Sequence, residues 1–321
     1  MSAKFGPSDG GCGVKKILTA ALVLLCLLAG AGYLVGDYFL GYALRRGEHG
    51  EPPAACAKIA DPALETPARP PARSETWEIR SSDGLVLRGT CFYPAAPSHR
   101  WAILVHGYGR TKEFAWDYAK EYLEHGYNVL APDLRAAGES EGTYLTMGTL
   151  ESEDIALWAA QIAQRDPEAR IALHGVSMGA ATVMMASALD PPHVESVIED
   201  CGYTSAYDMF TMQLKEIFGL PEFPIMGCVD LVSRLKMGCA LSDAAPLESV
   251  PRTRVPMLFI HGDADKLVPF SMMQELYDAS SAPEKESMVV VGAGHAAAKS
   301  IDSKSYFRKI FSFLDTHMGM K

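Results

Sequence analysis

The sequence predicts an α/β fold: a mostly parallel central sheet with helices on both faces and a small helical cap, preceded by an N-terminal transmembrane helix. Three observations support this prediction. From residue 76 onwards, short apolar runs alternate with segments of helical periodicity. Residues 203–250 interrupt that alternation with two helical stretches among prolines. Near the N-terminus, Ile17–Val35 contains no charged residue.

The composition limits the class of protein. The chain has 321 residues, of which 48% are hydrophobic, and this is enough for one large domain with a full core. The net charge is −10 without a Lys/Arg-rich block, which argues against nucleic acid as a partner. Seven cysteines show neither a C-x-x-C pair nor His/Cys ligand spacing, so we expect no structural zinc site. No other pattern indicates a metal, nucleotide or flavin, and we expect no cofactor. Cys228 and Cys239 would be able to bridge a loop in an oxidising compartment.

The N-terminal region is predicted to be a membrane anchor. Residues 1–13 are polar and glycine-rich, which indicates a disordered tail, and residues 14–44 contain an apolar run long enough to cross a bilayer. The alternative is a signal peptide cleaved at Ala29-Gly-Ala31, but the apolar run continues past that point. Three lysines precede the span and two arginines follow it. This balance predicts a single-pass protein of the cell membrane whose C-terminal domain is extracytoplasmic.

A linker and one large domain follow the anchor. Residues 45–75 are rich in proline and lack apolar periodicity, which predicts a stiff, extended linker. Residues 76–321 form the predicted domain. It opens with Trp77–Ile79 and Leu85–Phe92, whose alternating pattern around the turn Ser82-Asp-Gly84 predicts an antiparallel hairpin.

The rest of the domain alternates strands and helices. Further strands are predicted at these apolar runs: Trp101–Val105, Asn128–Ala131, Arg170–His174, Val194–Ile198, Pro256–Ile260 and Ser287–Val291. Helices are predicted near Glu113–Glu124, Thr149–Arg165, Phe270–Tyr277 and Tyr306–Leu314, and directly after Ser177. Residues 203–250 add two helical stretches, Tyr207–Phe218 and Cys228–Met237, where an insertion would cover the strand ends that bind ligands in such sheets.

A serine lies at a sharp turn in this pattern. Gly175-Val-Ser-Met-Gly179 joins an apolar strand directly to a helix of small residues. Such a turn strains the pivot residue, and side chains at the two flanking positions would collide, so glycine is needed at both. The turn holds the Ser177 hydroxyl at the N-terminus of the helix, where unpaired N–H groups face developing negative charge. Ser177 is therefore the predicted nucleophile.

Two further side chains complete a candidate catalytic triad. A serine needs a base, and His295 follows the last predicted strand, while Asp265 follows the strand before it. A single histidine or aspartate after a strand is more often an ordinary loop residue. Here, however, Ser177, Asp265 and His295 all stand at the carboxyl ends of predicted strands, so they should converge on one edge of the sheet.

Backbone N–H groups are the predicted oxyanion donors. Tyr108 follows the strand that ends at residue 105, and Met178 follows the nucleophile, so both N–H groups would face the same carbonyl. Three other histidines, His106, His174 and His261, each precede a glycine at a strand end. We expect these to be packing residues.

From residue 76 onwards the chain resembles the serine α/β-hydrolases, in particular their bacterial membrane-anchored branch of esterase and serine aminopeptidase-like proteins. The segments that carry the resemblance are His106-Gly-Tyr-Gly109, Asn128–Arg135, Gly138–Gly142, His174–Ala181, Ile198–Thr204, Phe259–Asp265 and Gly292–His295. Jointly they imply the α/β-hydrolase fold and the Ser…Asp…His triad, without specifying a substrate. The chain departs from many relatives at Ala136-Ala137, where they carry Gly-His, which affects substrate contacts rather than the mechanism.

The leading hypothesis is a membrane-anchored serine hydrolase that cleaves carboxylic esters through an acyl-enzyme on Ser177. The small cap indicates a short-to-medium acyl chain, and the expected partners are a small-molecule or lipid-like ester and the membrane. The same triad would also serve a thioesterase or an acyl-peptide hydrolase. A hydrolase fold can also persist as a non-catalytic binding module.

Overall fold

The computed structural model of the protein describes residues 10–47, 50–56 and 74–319. One sheet of eight strands crosses the domain in the order β1-β2-β4-β3-β5-β6-β7-β8. The strands are β1 Ser74–Arg80, β2 Val86–Phe92, β3 Arg100–Val105, β4 Asn128–Pro132, β5 Arg170–Val176, β6 Val194–Asp200, β7 Met257–Gly262 and β8 Lys285–Val290. The β1–β2 and β2–β4 pairs are antiparallel and all others are parallel, so the predicted hairpin and the mostly parallel sheet are confirmed.

Helices cover both faces of this sheet, and further helices form the cap and the N-terminal segment. They are α1 Gly10–Leu44, α2 Trp116–Glu124, α3 Thr149–Arg165, α4 Met178–Ser187, α5 Ala206–Phe218, α6 Ile225–Met237, α7 Pro246–Ser249, α8 Phe270–Ala279, α9 Ala298–Ile301 and α10 Ser303–Met318. The predicted helix near residues 113–124 is a 3-10 turn, Lys112–Ala115, followed by α2.

The central strand β3 shows why two layers are needed. Its side chains point alternately to the two faces, as in any strand, and all of the residues after Arg100 are buried. Ala102 and Leu104 belong to the apolar cluster formed with α2 and α10. Trp101, Ile103 and Val105 belong to the cluster formed with α3, α4 and α8. A strand that is apolar on both sides is therefore buried on both sides.

The segment 203–250 forms the predicted helical cap, built on α5 and α6. The Ser205 side chain accepts a hydrogen bond from the Asp208 N–H (3.3 Å) and so caps the start of α5. Both helices end at a glycine in the left-handed region, Gly219 (φ 65°) and Gly238 (φ 80°). These local signals delimit two short helices, each of which buries one apolar face.

Helix α1 is long and apolar enough to cross a membrane, by its length and composition. Residues 15–31 are exposed along the whole circumference of the helix. In contrast, Gly36, Leu40 and Leu44 are buried, and their spacing of four places them on one face. The amino-terminal part of α1 thus projects from the domain, and its carboxyl-terminal part packs on it.

The buried face of α1 packs against the cap helix α6. A Cβ atom on Gly36 would lie only 2.4 Å from the Cys228 carbonyl oxygen, so the two backbones are in close contact. An ion pair between Asp37 and Lys236 adds a polar contact beside it. The Phe39 and Phe218 rings meet edge to face with centroids 5.4 Å apart, which ties α1 to α5 as well.

The segment that follows α1 differs from the predicted extended linker at residues 45–75. Residues 50–56 turn back onto the domain, and the Ala55 N–H donates to the Tyr42 carbonyl oxygen (3.1 Å). Ala55 and Cys56 are buried. The proline content of the segment does not report the apolar surface against which the segment packs.

Two further predictions concern the N-terminus and the cysteines. Residues 1–9 of the predicted disordered tail lie outside the described residues, as do residues 48, 49 and 57–73 of the predicted linker. Helix α1 begins at Gly10, inside the segment predicted to be disordered. Cys228 and Cys239, named as a possible bridge in an oxidising compartment, are both free thiols. Cys228 faces α1 instead, with its Sγ 3.2 Å from the position of a Cβ on Gly32.

Candidate active site

Ser177 lies between β5 and α4, at the carboxyl edge of the parallel strands. Its backbone has φ 57° and ψ −118°, a conformation that residues other than glycine rarely adopt. The Ser177 N–H donates to the Asp200 carbonyl oxygen at the end of β6 (2.8 Å), so the neighbouring strand holds the turn in place. The strained turn presents the hydroxyl to a cavity at the N-terminus of α4.

Backbone contacts explain the two glycines of the turn. A Cβ on Gly175 would lie 2.1 Å from the Gly179 carbonyl oxygen, and a Cβ on Gly179 would lie 2.1 Å from the Val105 carbonyl oxygen. Any side chain at either position would therefore displace the backbone that carries Ser177. The Gly-x-Ser-x-Gly spacing is a steric requirement of a strand that turns directly into a helix against β3.

Hydrogen bonds join the three side chains predicted as a triad. His295 lies in the loop after β8, with its Nε2 2.8 Å from Ser177 Oγ. Its Nδ1 lies 2.8 Å from Oδ2 of Asp265, in the loop after β7. A carboxylate only accepts hydrogen bonds, so Nδ1 carries the proton and Nε2 accepts from the Ser177 hydroxyl. The three groups thus have the geometry of a nucleophile, a base and an orienting carboxylate.

Both oxygens of the Asp265 carboxylate accept hydrogen bonds. Its Oδ1 accepts from the backbone N–H groups of Leu267 and Val268, each at 2.9 Å. Burial raises the pKa of this carboxyl, but hydrogen bonds from His261 and His295 more than offset it, and the pKa lies well below its usual value. The carboxylate therefore stays ionised at neutral pH. His261, whose Nε2 is 3.4 Å from Asp265, is a second imidazole on this group that the sequence pattern did not reveal.

The other two histidines expected to be packing residues are hydrogen-bonded away from the site. His106 is buried, and its Nε2 accepts from the Leu134 N–H (3.0 Å). His174 lies between the hydroxyl groups of Tyr122 and Tyr306, at 3.1 Å from each. Burial lowers the pKa of His174 to about 3, so it stays neutral.

The predicted oxyanion donors, Tyr108 and Met178, both line the cavity in front of the serine. Met178 is the first residue of α4, where backbone N–H groups have no acceptor within the helix. The loop that carries Tyr108 lies close to the serine turn, since a Cβ on Gly107 would be 3.1 Å from the Val176 carbonyl oxygen. The Tyr108 hydroxyl donates to the Ala43 carbonyl oxygen, which ties this loop to α1.

One group of side chains has the composition of a metal site. Ligand atoms of Cys201, Asp265 and His295 lie within 4.8 Å of one another. Both nitrogens of His295 are already engaged, with Asp265 and with Ser177. Burial raises the pKa of the Cys201 thiol well above its usual value, whereas ligation needs a thiolate. These side chains fit a proton relay better than a metal centre.

A cavity of about 360 Å³ opens onto Ser177. Its lining is mostly apolar, and Met209 and Phe210 of the cap form one side of it. Residues 51–54 and Cys56 form another side, so part of the predicted linker borders the candidate active site. No sequence signal identifies this contribution, because the proximity arises only when the segment folds back along α1.

Comparison with known proteins shows the family. Residues 102–300 match the model of the Alpha/beta hydrolase family. The protein YqkD of Bacillus subtilis (strain 168) is 27% identical over 241 residues, which cover 74% of this chain and 78% of that protein. The protein YfhR of Escherichia coli (strain K12) is 24% identical over 229 residues, which cover 69% of this chain and 74% of that protein.

Solved structures agree with this assignment. The esterase Pf2001 of Pyrococcus furiosus has a TM-score of 0.63 at 25% sequence identity, and covers 77% of this chain and 92% of its own. Est1E of Butyrivibrio proteoclasticus, solved with ferulic acid, has a TM-score of 0.56 at 17% identity, covering 74% of this chain and 99% of its own, and shows the fold alone. On the family match and the likeness to the Pf2001 esterase, the chain belongs to the alpha/beta hydrolase family and is a hydrolase.

Proposed function

We propose that the protein is a serine esterase that cleaves carboxylic esters through an acyl-enzyme on Ser177. The observation that carries the proposal is the continuous hydrogen-bonded chain from Ser177 through His295 to Asp265, with both distances 2.8 Å. His295 takes the hydroxyl proton as Ser177 attacks the carbonyl, and gives it to the leaving alcohol. The N–H groups of Tyr108 and Met178 stabilise the oxyanion. Water, deprotonated by His295, then releases the acid.

The cavity supports a short-to-medium acyl chain. Its volume of about 360 Å³ lies near the lower end of the range of roughly 300–1,000 Å³ for ligand pockets, and its lining suits hydrocarbon. The substrate would be a small-molecule or lipid-like ester. The same groups would also cleave a thioester or an acyl-peptide, so the test includes both. A non-catalytic binding module would not need Ser177 strained and aligned with a base, and the geometry argues against that alternative.

The proposal includes anchoring in the cell membrane by α1, with the hydrolase domain on the extracytoplasmic side. The exposed apolar surface of residues 15–31 supports a span, and the excess of lysine before it supports this orientation. The intact mass of the protein from the membrane fraction, with protease accessibility of the domain in sealed vesicles, tests both points. A soluble product that begins after Ala31 would show a cleaved signal peptide instead.

The catalytic proposal is tested on the full chain, because residues 51–54 and Cys56 border the cavity. Hydrolysis is measured over p-nitrophenyl esters from acetate to palmitate, an acyl thioester and an acyl-peptide, beside Ser177→Ala. We expect a medium-chain optimum, labelling of Ser177 by a fluorophosphonate, and a loss of at least about 10³-fold in the variant. Retained activity in Ser177→Ala, or no labelling of the folded protein, would refute the mechanism. If the protein prefers the acyl-peptide or the thioester, the proposed substrate is that class of compound and not a carboxylic ester.

A further inference from the structure

A second, narrow cavity of about 40 Å³ lies between α1 and the cap. Its lining is apolar and includes Phe39 and Ala43 of α1 and Phe218 of α5. Phe210 and Gln213 of α5 line this cavity and also the cavity in front of Ser177. Two half-buried side chains therefore form the wall that the two cavities share.

The length of α1 gives the depth of this second cavity relative to a membrane. At 1.5 Å per residue, the 19 residues Ile17–Val35 span about 28 Å, close to the roughly 30 Å of a bilayer core. Phe39 then lies about 6 Å, and Ala43 about 12 Å, beyond the end of the apolar run. The second cavity therefore opens at the level of the lipid headgroups.

The cap lies at the same level. Gly32 and Gly36 of α1 contact α6 at Cys228, and Gly32 is still within the apolar run. Leu231 and Leu235 of α6 lie three and seven positions after Cys228, on the side of the helix that borders α1, and they are exposed by 60% and 67%. A pair of exposed leucines beside the end of a membrane span is well placed to enter the bilayer interface.

The anchor also contacts the catalytic side of the domain directly. The Ala43 carbonyl oxygen accepts from the hydroxyl of Tyr108, the residue proposed to supply an oxyanion N–H. Residues 51–54, a few positions after α1, border the catalytic cavity. The membrane helix and the segment after it thus form part of the surroundings of Ser177, which a simple tether would not do.

We propose that the substrate is an amphiphilic ester with a single medium-length acyl chain, dissolved in the bilayer, which reaches Ser177 between α1 and α5. This inference rests on the ester hydrolysis proposed above. Such a molecule has its ester group at headgroup level, where the second cavity opens, and its chain passes from lipid into an apolar cavity without crossing water. The chain moves past Phe210 and Gln213, and the ester carbonyl stops at Ser177.

The first test separates delivery from the bilayer from delivery through water. The full-length protein is reconstituted in phosphatidylcholine vesicles that contain monodecanoylglycerol, and phosphatidylcholine is added to the mixture in increasing amounts at constant bulk substrate. We expect the rate to follow the mole fraction of substrate in the bilayer. A rate that stays constant as phosphatidylcholine is added would follow the bulk concentration alone and would overturn the proposal.

The second test blocks the route between the cavities. Gln213→Trp fills the shared wall, and Glu216→Trp places the same side chain at an exposed position of α5. The measured quantity is the rate on vesicle-bound monodecanoylglycerol divided by the rate on p-nitrophenyl acetate. We expect a fall of at least tenfold in Gln213→Trp and no change in Glu216→Trp. An unchanged ratio in Gln213→Trp would overturn the route.

Labelling of Ser177 by the fluorophosphonate reports whether each variant is folded. If Gln213→Trp does not label, Ala43→Leu fills the second cavity from the side of α1 and is expected to lower the same ratio. An unchanged ratio in that variant would also overturn the route. Failure of the unmodified protein to label would instead refute the proposed function, and so the two failures are distinct.

Discussion

The Asp265→Asn substitution tests how the carboxylate orients His295. Oδ1 of Asp265 accepts from two backbone N–H groups, those of Leu267 and Val268, each at 2.9 Å. An amide nitrogen cannot accept a hydrogen bond, so the asparagine must place its oxygen there and its NH₂ group towards His295. Nδ1 then becomes the acceptor, Nε2 carries the proton, and the Ser177 hydroxyl loses its base. We expect kcat/KM to fall about 10⁴-fold, or about 5.4 kcal/mol, the scale of loss that the wrong imidazole tautomer causes in a serine protease.

The assay is hydrolysis of p-nitrophenyl butyrate by the full-length protein. Asp263→Asn is the matched control, because Asp263 is exposed in the same loop and accepts from the Gly292 N–H (2.6 Å) rather than from an imidazole. The control should stay within about twofold of the unmodified protein. Thermal unfolding establishes that Asp265→Asn is folded. A loss of less than tenfold in a folded Asp265→Asn would refute the reasoning and assign the orienting role to another carboxylate.

Two further predictions concern stability. In Gly179→Ala the new Cβ would lie 2.1 Å from the Val105 carbonyl oxygen, so we expect denaturant unfolding to show a loss of about 1–3 kcal/mol, together with loss of fluorophosphonate labelling. Gly227→Ala, where a Cβ meets nothing within 4 Å, should be neutral or stabilising, and equal effects of the two substitutions would contradict the steric account. Burial raises the pKa of Glu199 to about 8, from a usual 4.5. Between these pH values the Glu199 carboxyl keeps its proton in the folded protein and loses it in the unfolded chain. The free energy of unfolding therefore falls as the pH rises, by at most about 1.4 kcal/mol per pH unit. Glu199→Gln should flatten this part of the unfolding profile between pH 5 and 8, and an unchanged slope would show that Glu199 is already ionised.

Local patterns in the chain were sufficient to predict the fold. Strands buried on both faces are continuous apolar runs, and Trp101–Val105 is recognisable for that reason. The glycines around Ser177 are recognisable because the turn itself excludes side chains at those two positions. The convergence of Ser177, Asp265 and His295 followed from one rule, since residues at the carboxyl ends of neighbouring parallel strands meet at one edge of the sheet.

Contacts between distant segments were not predictable in this way. Residues 51–56 have the composition of a linker, and no periodicity marks them as a border of the cavity. The contact of Gly36 with Cys228 joins positions 192 residues apart, and it depends on two helix surfaces that fit each other. His261 and His106 each precede a glycine at a strand end, yet of these two only His261 lies against Asp265.

The sequence by itself therefore determined the fold, the strained serine and the sheet edge where three side chains meet, because periodicity and turn sterics act within a few residues. Only the tertiary structure decided that α1 packs on the cap, that the segment after it borders the cavity, and that a second histidine contacts Asp265. Those contacts depend on the shapes of surfaces far apart in the chain. A shape of this kind exists only after the elements have packed together.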